Sequence, residues 1–225
     1  CGDPNAPDDL SDWKKITFNE NKEVIGIDYA FYMLEGSVNL QWIPSKVLHL
    51  MLYGNNLTGS IDLTMLPKTL QVMKLNSNMF IGEISLDKLP ENMEVLWLCF
   101  NKLSGTLDLT HLPPKLRSLY LQENCFFGTL DLTSLPESLT ALDVNHNQLH
   151  GSIDLTHLPS NMDQLILARN KFSGETDFSH LPDSLDEFNV SNTDLSGVLC
   201  VKELNPTIDA KNSNVLISVV VRSSK

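Results

Sequence analysis

Five aspartates recur at one position of a repeating sequence, and they are the first residues whose type and spacing suggest chemistry. Each is followed two residues later by Thr or Ser, and the five are Asp62, Asp108, Asp131, Asp154 and Asp177. Calcium needs six or more oxygen ligands that converge on one point, whereas a single row presents its carboxylates side by side. We therefore expect each Asp to bond within its own turn and face water. The row predicts neither a metal site nor a cofactor.

Histidines share a second recurring position, occupied by His111, His157 and His180. A zinc site would need further ligands close by, so we expect exposed loop histidines. The sequence also contains no Gly-rich phosphate loop, no Ser/His/Asp set and no Cys-x-x-Cys motif. We predict that the chain is not an enzyme, and rank catalysis at an unusual site behind two non-enzymatic functions.

The element that positions these residues is a repeat of 23 residues, the interval that separates Pro67 from Pro90. Three residue types keep this period: Pro67, Pro90, Pro113, Pro136, Pro159 and Pro182; Gly59, Gly82, Gly105, Gly128, Gly151, Gly174 and Gly197; and Asn55, Asn78, Asn101, Asn124, Asn147 and Asn170. A fixed period of this length is typical of a solenoid, in which each copy forms one coil and contacts only its neighbours.

The residue types within each copy predict its local structure. Leu119 and Leu121 alternate with outward residues, which predicts a short half-buried strand, and adjacent copies then pair as parallel strands ~4.8 Å apart. The Asn amide can satisfy backbone groups that turn away from the sheet. The Gly permits a positive φ or a close approach between coils. Threonines before the Leu-Pro turn are placed to cap a short helical turn: Thr64, Thr110, Thr133 and Thr156.

The unit LPxxLxxLxLxxNxFxGxIDLTxLP resembles the leucine-rich-repeat family, whose core is LxxLxLxxNxL. Its Phe/Leu-x-Gly-x-Ile segment is similar to the plant-type subclass of secreted and receptor ectodomains, and its Asp-Leu-Thr-x-Leu-Pro ending to leucine-rich surface proteins of protists. The resemblance implies a repeat solenoid, α/β by convention but β-rich: a right-handed, curved horseshoe with a parallel concave sheet. It also implies a secreted or cell-surface location. Two glycosylation triplets begin at Asn56 and Asn189.

The predicted domain organisation is a single solenoid with two caps. Residues 1–23 form an N-terminal cap in which Trp13 matches the plant-type cap but Phe18 replaces its cysteine; residues 24–204 form eight repeats; and residues 205–225 form a C-terminal cap strand. The first repeat is degenerate, with Tyr32 in the place of the Asn. The apolar run that starts at Val215 is expected to fold against the eighth coil, and the alternative is pairing with a second chain.

Composition limits the partners. The formal charge is −12, from 28 acidic and 16 basic residues, and this argues against nucleic acid and anionic membranes. No apolar run approaches the ~20 residues needed to cross a bilayer. The chain begins at Cys1 without an initiator Met, as expected for a processed piece.

The 4 cysteines are expected to be free thiols, since Cys99 and Cys125 should lie roughly 10 Å apart, beyond the ~7 Å that a disulfide tolerates.

Side chains at the outward strand positions do not pack in the core, so their residue types indicate what the surface does. Apolar and aromatic side chains gather there over copies two to five: Met51, Tyr53, Val72, Val95, Trp97, Phe100 and Tyr120. The row becomes polar and charged from Asp143 onward. Such residue types are enriched in binding hot spots, although aromatic residues also simply suit a strand surface. The predicted site consists of Met51, Tyr53, Lys74, Trp97, Phe100, Tyr120, Asp143, His146 and Arg169.

These observations predict a non-enzymatic module that binds a protein or glycan ligand through its concave face. The alternative is a structural or adhesive surface protein that acts by self-association. A monomer in solution favours the first function, and we expect a monomer because one chain already contains both surfaces that need covering.

Overall fold

The computed structural model describes residues 15–201 and 206–219. The chain winds through successive coils that each add one strand to each of two sheets. The fold class predicted from the repeat, a leucine-rich solenoid with a parallel sheet, is confirmed. Trp13, Cys1 and most of the predicted N-terminal cap lie outside the described residues.

The first sheet runs through the LxL segments of the repeats. In spatial order its ten strands are β1 (Ile16–Phe18), β2 (Val24–Asp28), β4 (His49–Met51), β6 (Val72–Lys74), β8 (Val95–Trp97), β10 (Ser118–Tyr120), β12 (Ala141–Asp143), β14 (Gln164–Ile166), β16 (Glu187–Asn189) and β18 (Ile208–Asp209). β1 is antiparallel to β2, and the other pairs are parallel. Leu119 lies opposite Leu96 and Leu142, so the pairing offset equals the repeat length.

The second sheet is built from the segment around the repeated Gly. From one edge to the other its strands are β19 (Asn214–Val219), β17 (Asp194–Val201), β15 (Lys171–Glu175), β13 (Gln148–Gly151), β11 (Cys125–Gly128), β9 (Lys102–Gly105), β7 (Met79–Glu83), β5 (Asn56–Gly59) and β3 (Glu35–Ser37). Here Ile81 pairs with Lys102 and Gly82 with Leu103. From β3 to β17 the strands therefore slip by two residues per coil relative to the repeat, whereas β19 pairs with β17 at a shorter offset, with Asn214 opposite Ser196.

The core lies between the two sheets. Leu96, Leu119 and Leu142 are buried from the first sheet, and Phe80 and Phe126 are buried from the second. Each copy inserts the same apolar set, so the coils stack as one continuous core.

The repeated asparagines join consecutive coils as the sequence predicts. The Asn101 amide donates to the backbone oxygens of Leu75 and Leu98 at 3.1 and 3.0 Å, and its oxygen accepts the Phe80 N–H at 3.0 Å. An Asn side chain has the two donors and the acceptor that this position requires. The row of asparagines therefore supplies the hydrogen bonds that the backbone loses where it leaves the first sheet.

The aspartates that open the turn behave as expected, but the threonines after them do not. Asp62 Oδ1 accepts both the backbone N–H and the hydroxyl of Thr64, at 2.9 and 2.6 Å. These two bonds lower the pKa of Asp62, the hydroxyl bond more strongly. The prediction that Thr64, Thr110, Thr133 and Thr156 cap a helical turn is wrong, because the chain forms only turns there and each hydroxyl donates to its Asp.

Beyond the eighth repeat the chain adds an incomplete ninth coil. Ile208 pairs with Phe188 in the first sheet, and Asn214–Val219 pairs in parallel along β17 in the second. The described part of the predicted cap segment thus contributes one strand to each sheet. Its side chains are mostly exposed, with Leu216 at 68%.

Within the described residues, Cys99, Cys125 and Cys200 are free thiols, and Cys1 lies outside that part. Cys99 is buried, which raises the pKa of its thiol to about 12. In the same described ranges, no helix is long and apolar enough to cross a membrane.

Candidate functional site

The solvent side of the first sheet brings five of the nine predicted site residues into one line. The strand register places Met51 beside Lys74, Lys74 beside Trp97, Trp97 beside Tyr120, and Tyr120 beside Asp143. We call this line the mid-strand row. At ~4.8 Å per strand it spans roughly 19 Å, enough for an extended segment of about six residues.

The centre of the mid-strand row is an ordered aromatic pair. The Trp97 and Tyr120 rings lie 5.3 Å apart at 43°, and Lys74 Nζ sits 3.5 Å from the centre of the Trp97 ring. The Trp97 indole N–H donates to Ser118 Oγ at 2.9 Å. These contacts fix the ring while leaving it half-buried, so Trp97 presents a positioned apolar surface to solvent.

Tyr120 reaches across the neighbouring strand. Its hydroxyl donates to Gln164 Oε1 at 2.9 Å, and the Gln164 amide donates in turn to Glu187. Gln164 lies two strands from Ser118, with Ala141 between them, and the small Ala141 side chain leaves room for this crossing. Gln164 and Glu187 were not predicted as site residues. The only indication in the sequence was that they occupy outward positions next to small and polar residues.

Asp143 lies at the polar end of the mid-strand row. Its Oδ1 accepts the Asn145 N–H at 2.8 Å, a bond that favours the charged form. Burial outweighs that bond, and with the negative charges of Glu187 and Glu123 it raises the pKa of Asp143 to about 6. Burial and the nearby Asp143 charge also raise the pKa of Tyr120.

Three more predicted residues lie in a second line, which we call the left-handed row. Each of its residues comes shortly after a strand of the first sheet and has a positive backbone φ: 54° at Phe100, 56° at Glu123, 54° at His146 and 51° at Arg169. Non-glycine residues adopt this conformation at a cost of about 1 kcal/mol or more. Phe100 is 52% exposed, and His146 Nδ1 lies 2.6 Å from a Glu123 carboxylate oxygen.

The ninth predicted residue, Tyr53, lies at the N-terminal end of the face. Its ring packs edge-on against Phe31 at 5.1 Å. Gly54 permits this contact, since a Cβ there would lie 2.5 Å from the Phe31 ring. Phe31 itself was not predicted as a site residue, because it belongs to the degenerate first copy, although it occupies the same repeat position as Phe100.

Not every outward position reaches solvent. Cys99 and Ala168, between the two rows, are buried, and so is Ile166, which lies beside Asp143 on the next strand. Two amide oxygens at the Cys99 position of neighbouring coils, Asn76 Oδ1 and Gln122 Oε1, are buried and lack a hydrogen-bond partner within the described residues. Such acceptors are costly unless a donor is supplied.

A metal centre finds no support in the described ranges, where no three His, Cys, Asp or Glu side chains are grouped to hold an ion. The His111 ring instead contacts Asp108 at 3.2 Å, and the His180 ring contacts Asp177 at the same distance. Both pairs are solvent-exposed.

Comparisons with known proteins relate the chain to others by fold. No protein-family model matches the sequence, and no curated protein matches it. Among solved structures, a plant ice-binding protein is similar with a TM-score of 0.63 at 17% identity, over 94% of this chain and 87% of that one.

Two receptor ectodomains from Arabidopsis are also similar. One is the leucine-rich-repeat ectodomain of the membrane receptor kinase GASSHO1/SCHENGEN3 in complex with Casparian strip integrity factor 2, with a TM-score of 0.65 at 21% identity over 89% of this chain and 27% of that one. The other is the HAESA ectodomain in complex with an IDA peptide hormone ligand, with a TM-score of 0.54 at 22% identity over 81% and 37%. The chain therefore spans about a third of the length of these two ectodomains. At these identities the likeness establishes the leucine-rich-repeat fold.

Proposed function

We propose that this chain is a non-enzymatic recognition module that binds a protein ligand as an extended segment across the solvent side of its first sheet. The observation that carries the proposal is the mid-strand row, in which a fixed aromatic pair, Trp97 and Tyr120, is followed by a half-buried carboxylate. Positioned Trp and Tyr side chains are enriched in binding hot spots.

The left-handed row supports the same face. The positive φ at this position recurs in every coil, from Phe31 to Asn192, so it belongs to the repeat, and what supports binding is the exposure of Phe100, His146 and Arg169 beside the mid-strand row. The two similar receptor ectodomains are in complex with Casparian strip integrity factor 2 and with an IDA peptide hormone ligand. A secreted or cell-surface location accords with this function.

Selection from a display library of random 12-residue peptides tests the proposal. Affinity of the selected peptides is then measured by calorimetry for the wild type and for Trp97→Ala, with Phe127→Ala as the matched control. Phe127 is an aromatic side chain exposed on the second sheet. We expect Trp97→Ala to lower affinity at least tenfold and Phe127→Ala to change it less than twofold.

The variants must stay folded for this comparison. Trp97 is half-buried and bonded to Ser118, so its removal should cost about 1 kcal/mol of stability, which circular dichroism and melting will verify. If the selected peptides bind Trp97→Ala and Phe127→Ala with the same affinity as the wild type, recognition by the solvent side of the first sheet is contradicted. A glycan array probed with the same variants decides whether the face takes sugars instead.

Self-association is a second candidate, favoured by the edge of the second sheet. β19 pairs on one side with β17, and at its exposed surface lie Leu216, Ile217 and Val219. An apolar edge strand is a template for pairing with another chain. Sedimentation velocity of the wild type and Ile217→Lys tests this: a wild-type dimer that becomes a monomer on substitution would favour it, and two monomers would rule it out.

A further inference from the structure

The mid-strand row ends on a carboxylate that lacks a cationic partner. Within the described residues, Asp143 receives its hydrogen bond from the Asn145 N–H and forms no ion pair with any Lys, Arg or His. A partly buried carboxylate that is left unpaired is unfavourable. Asp28 lies one strand beyond Met51 on the same line and likewise accepts a local bond, from the Ala30 N–H at 3.1 Å, but it is exposed.

The ionisable groups around Asp143 do not neutralise it. Glu123, from the preceding coil, and Glu187, two strands further on, both oppose its ionisation. Tyr120 and Cys99 are the other titratable groups that sense its charge. All four groups are neutral or negative near neutral pH.

The nearest basic side chains along the left-handed row are directed to other contacts or to solvent. His146 pairs with Glu123 at 2.6 Å. Arg169 is exposed and, in the described part of the chain, makes no ion pair with Asp143. The carboxylate therefore faces an acidic environment beside an aromatic pair.

We propose that the ligand is a protein segment carrying a basic side chain close to an apolar or aromatic one, the basic group bound at Asp143 and the apolar one at Trp97 and Tyr120. This inference rests on the proposed function, because it specifies the chemistry of a ligand on the same face. A guanidinium donates two parallel N–H bonds to a carboxylate, and it also stacks on aromatic rings. Lys74 already places an ammonium over the Trp97 ring, so that ring accepts a cation.

Geometry sets the spacing of the two ligand residues. Trp97 and Asp143 are two strand steps apart in the row, or roughly 10 Å. An extended chain rises ~3.3 Å per residue, so the apolar and basic residues should be separated by two to four positions. The chain's charge of −12 also attracts a basic ligand at long range.

Binding should be switched by pH near the acidic end of the physiological range. Since burial raises the pKa of Asp143 to about 6, its ionised fraction falls about tenfold between pH 7 and pH 5. A cation binds the ionised form, so affinity should fall as the pH is lowered. An Asp143 variant isolates the contribution of this carboxylate to the pH dependence.

The test uses the random 12-residue peptide library, selected on the full chain at pH 7.5. We expect selected sequences that depend on Trp97 to carry Arg or Lys two to four positions from an aromatic or large apolar residue. One such peptide and its copy with citrulline in place of Arg are titrated against the wild type, Asp143→Asn and the matched control Asp28→Asn. We expect at least a tenfold preference for Arg in the wild type and Asp28→Asn, lost in Asp143→Asn.

The pH arm repeats the Arg-peptide titration at pH 5. Affinity should fall about tenfold in the wild type and clearly less in Asp143→Asn. Peptides that need Trp97 but bind Asp143→Asn and the citrulline copy equally well would overturn this inference and leave the proposed function standing. Selection that yields no peptide dependent on Trp97 would overturn both.

Discussion

At the scale of single residues, Asp143 and Asn124 show how one fold supports both binding and stability. Asp143 is half-buried, at a cost, on the solvent side of the first sheet. Asn124 joins coils through bonds to the Leu98 and Leu121 oxygens at 3.0 and 3.1 Å, and from the Leu103 N–H at 2.9 Å. Replacing Asp143 by an uncharged residue should therefore stabilise the protein, and truncating Asn124 should destabilise it.

The Asp143 effect depends on pH. The pKa of Asp143 rises from 3.8 to about 6 on folding, so between these values the unfolded chain releases a proton that the folded chain keeps. Stability contributed by this group thus falls as pH rises through that window and stays low above it. Asn does not titrate and retains an oxygen for the Asn145 N–H. We expect Asp143→Asn to raise the unfolding free energy by about 2 kcal/mol at pH 7.5 and by little at pH 4.

Urea unfolding at both pH values measures this difference. Asp28→Asn is the control, since its carboxylate makes the equivalent bond in an exposed position, and it should change stability by less than about 0.5 kcal/mol. Equal gains for Asp143→Asn at pH 4 and pH 7.5 would contradict the burial of an unpaired charge.

Asn124→Ala removes the bonds to Leu98, Leu121 and Leu103 together. Because it orphans backbone groups that turn away from the sheet, we expect a loss of about 1–3 kcal/mol in urea unfolding. Asn56→Ala changes the same residue type at an exposed position and should cost under about 0.5 kcal/mol. A loss no greater for Asn124→Ala than for Asn56→Ala would mean that the repeated asparagines do not hold the coils together.

At the scale of elements, the first sheet was predictable and the second was not. The first sheet follows from Leu-x-Leu alternation at a fixed period, where one residue type has one role in every copy. The second sheet pairs with a slip of two residues per coil, and its strands contain the Gly whose positive φ reads from sequence as a turn. The alternation of apolar and polar residues in these strands is short and interrupted, so the sequence pattern alone does not reveal how the strands of the second sheet pair.

The candidate site was predictable for a similar reason. Mid-strand positions are fixed by the register, so Trp97, Tyr120 and Asp143 were correctly expected to line up. Contacts that cross coils, such as that from Tyr120 to Gln164, depend on side-chain length and on the small Ala141 between them. The predicted cluster covers copies two to five, so Phe31 of the degenerate first copy falls outside it, although Tyr32 marks the register there.

The terminal strand β19 should be needed to cover the last coil. Residues 214–219 pair along β17, whose Leu199 and Val201 are buried. Deletion of residues 214–225 would uncover them, and at about 2–4 °C per kcal/mol for a chain of this size we expect the melting temperature to fall by more than about 5 °C. Leu216→Ser is the control, since that side chain is exposed, and should leave the melting temperature nearly unchanged.

Calorimetry and sedimentation of the truncated chain measure this effect. Retention of the wild-type melting temperature together with conversion of a dimer to a folded monomer would show that β19 is an interface between chains. That outcome would place self-association ahead of ligand recognition.

At the scale of the whole molecule, a solenoid provides one long regular surface, and its function depends on which coils depart from the repeat. Here the first sheet carries an aromatic pair in its middle coils, followed by the unpaired carboxylate of Asp143. The second sheet exposes single apolar residues such as Ile81 and Phe127, and at its edge the β19 cluster of Leu216, Ile217 and Val219. The ordered aromatic pair beside the unpaired Asp143 lies on the first sheet, which favours a ligand bound there with its apolar and basic groups in a fixed order.

The most direct test is the indole NMR spectrum of the chain during titration with a selected peptide, its tryptophan signals assigned by Trp→Phe variants. Trp97 donates its indole N–H to Ser118 within the mid-strand row, whereas Trp42 lies outside both sheets and is 82% exposed. We expect the Trp97 signal to shift in a saturable manner and the Trp42 signal to stay in place. Saturable binding that shifts Trp42 and leaves Trp97 unchanged would contradict recognition by the first sheet.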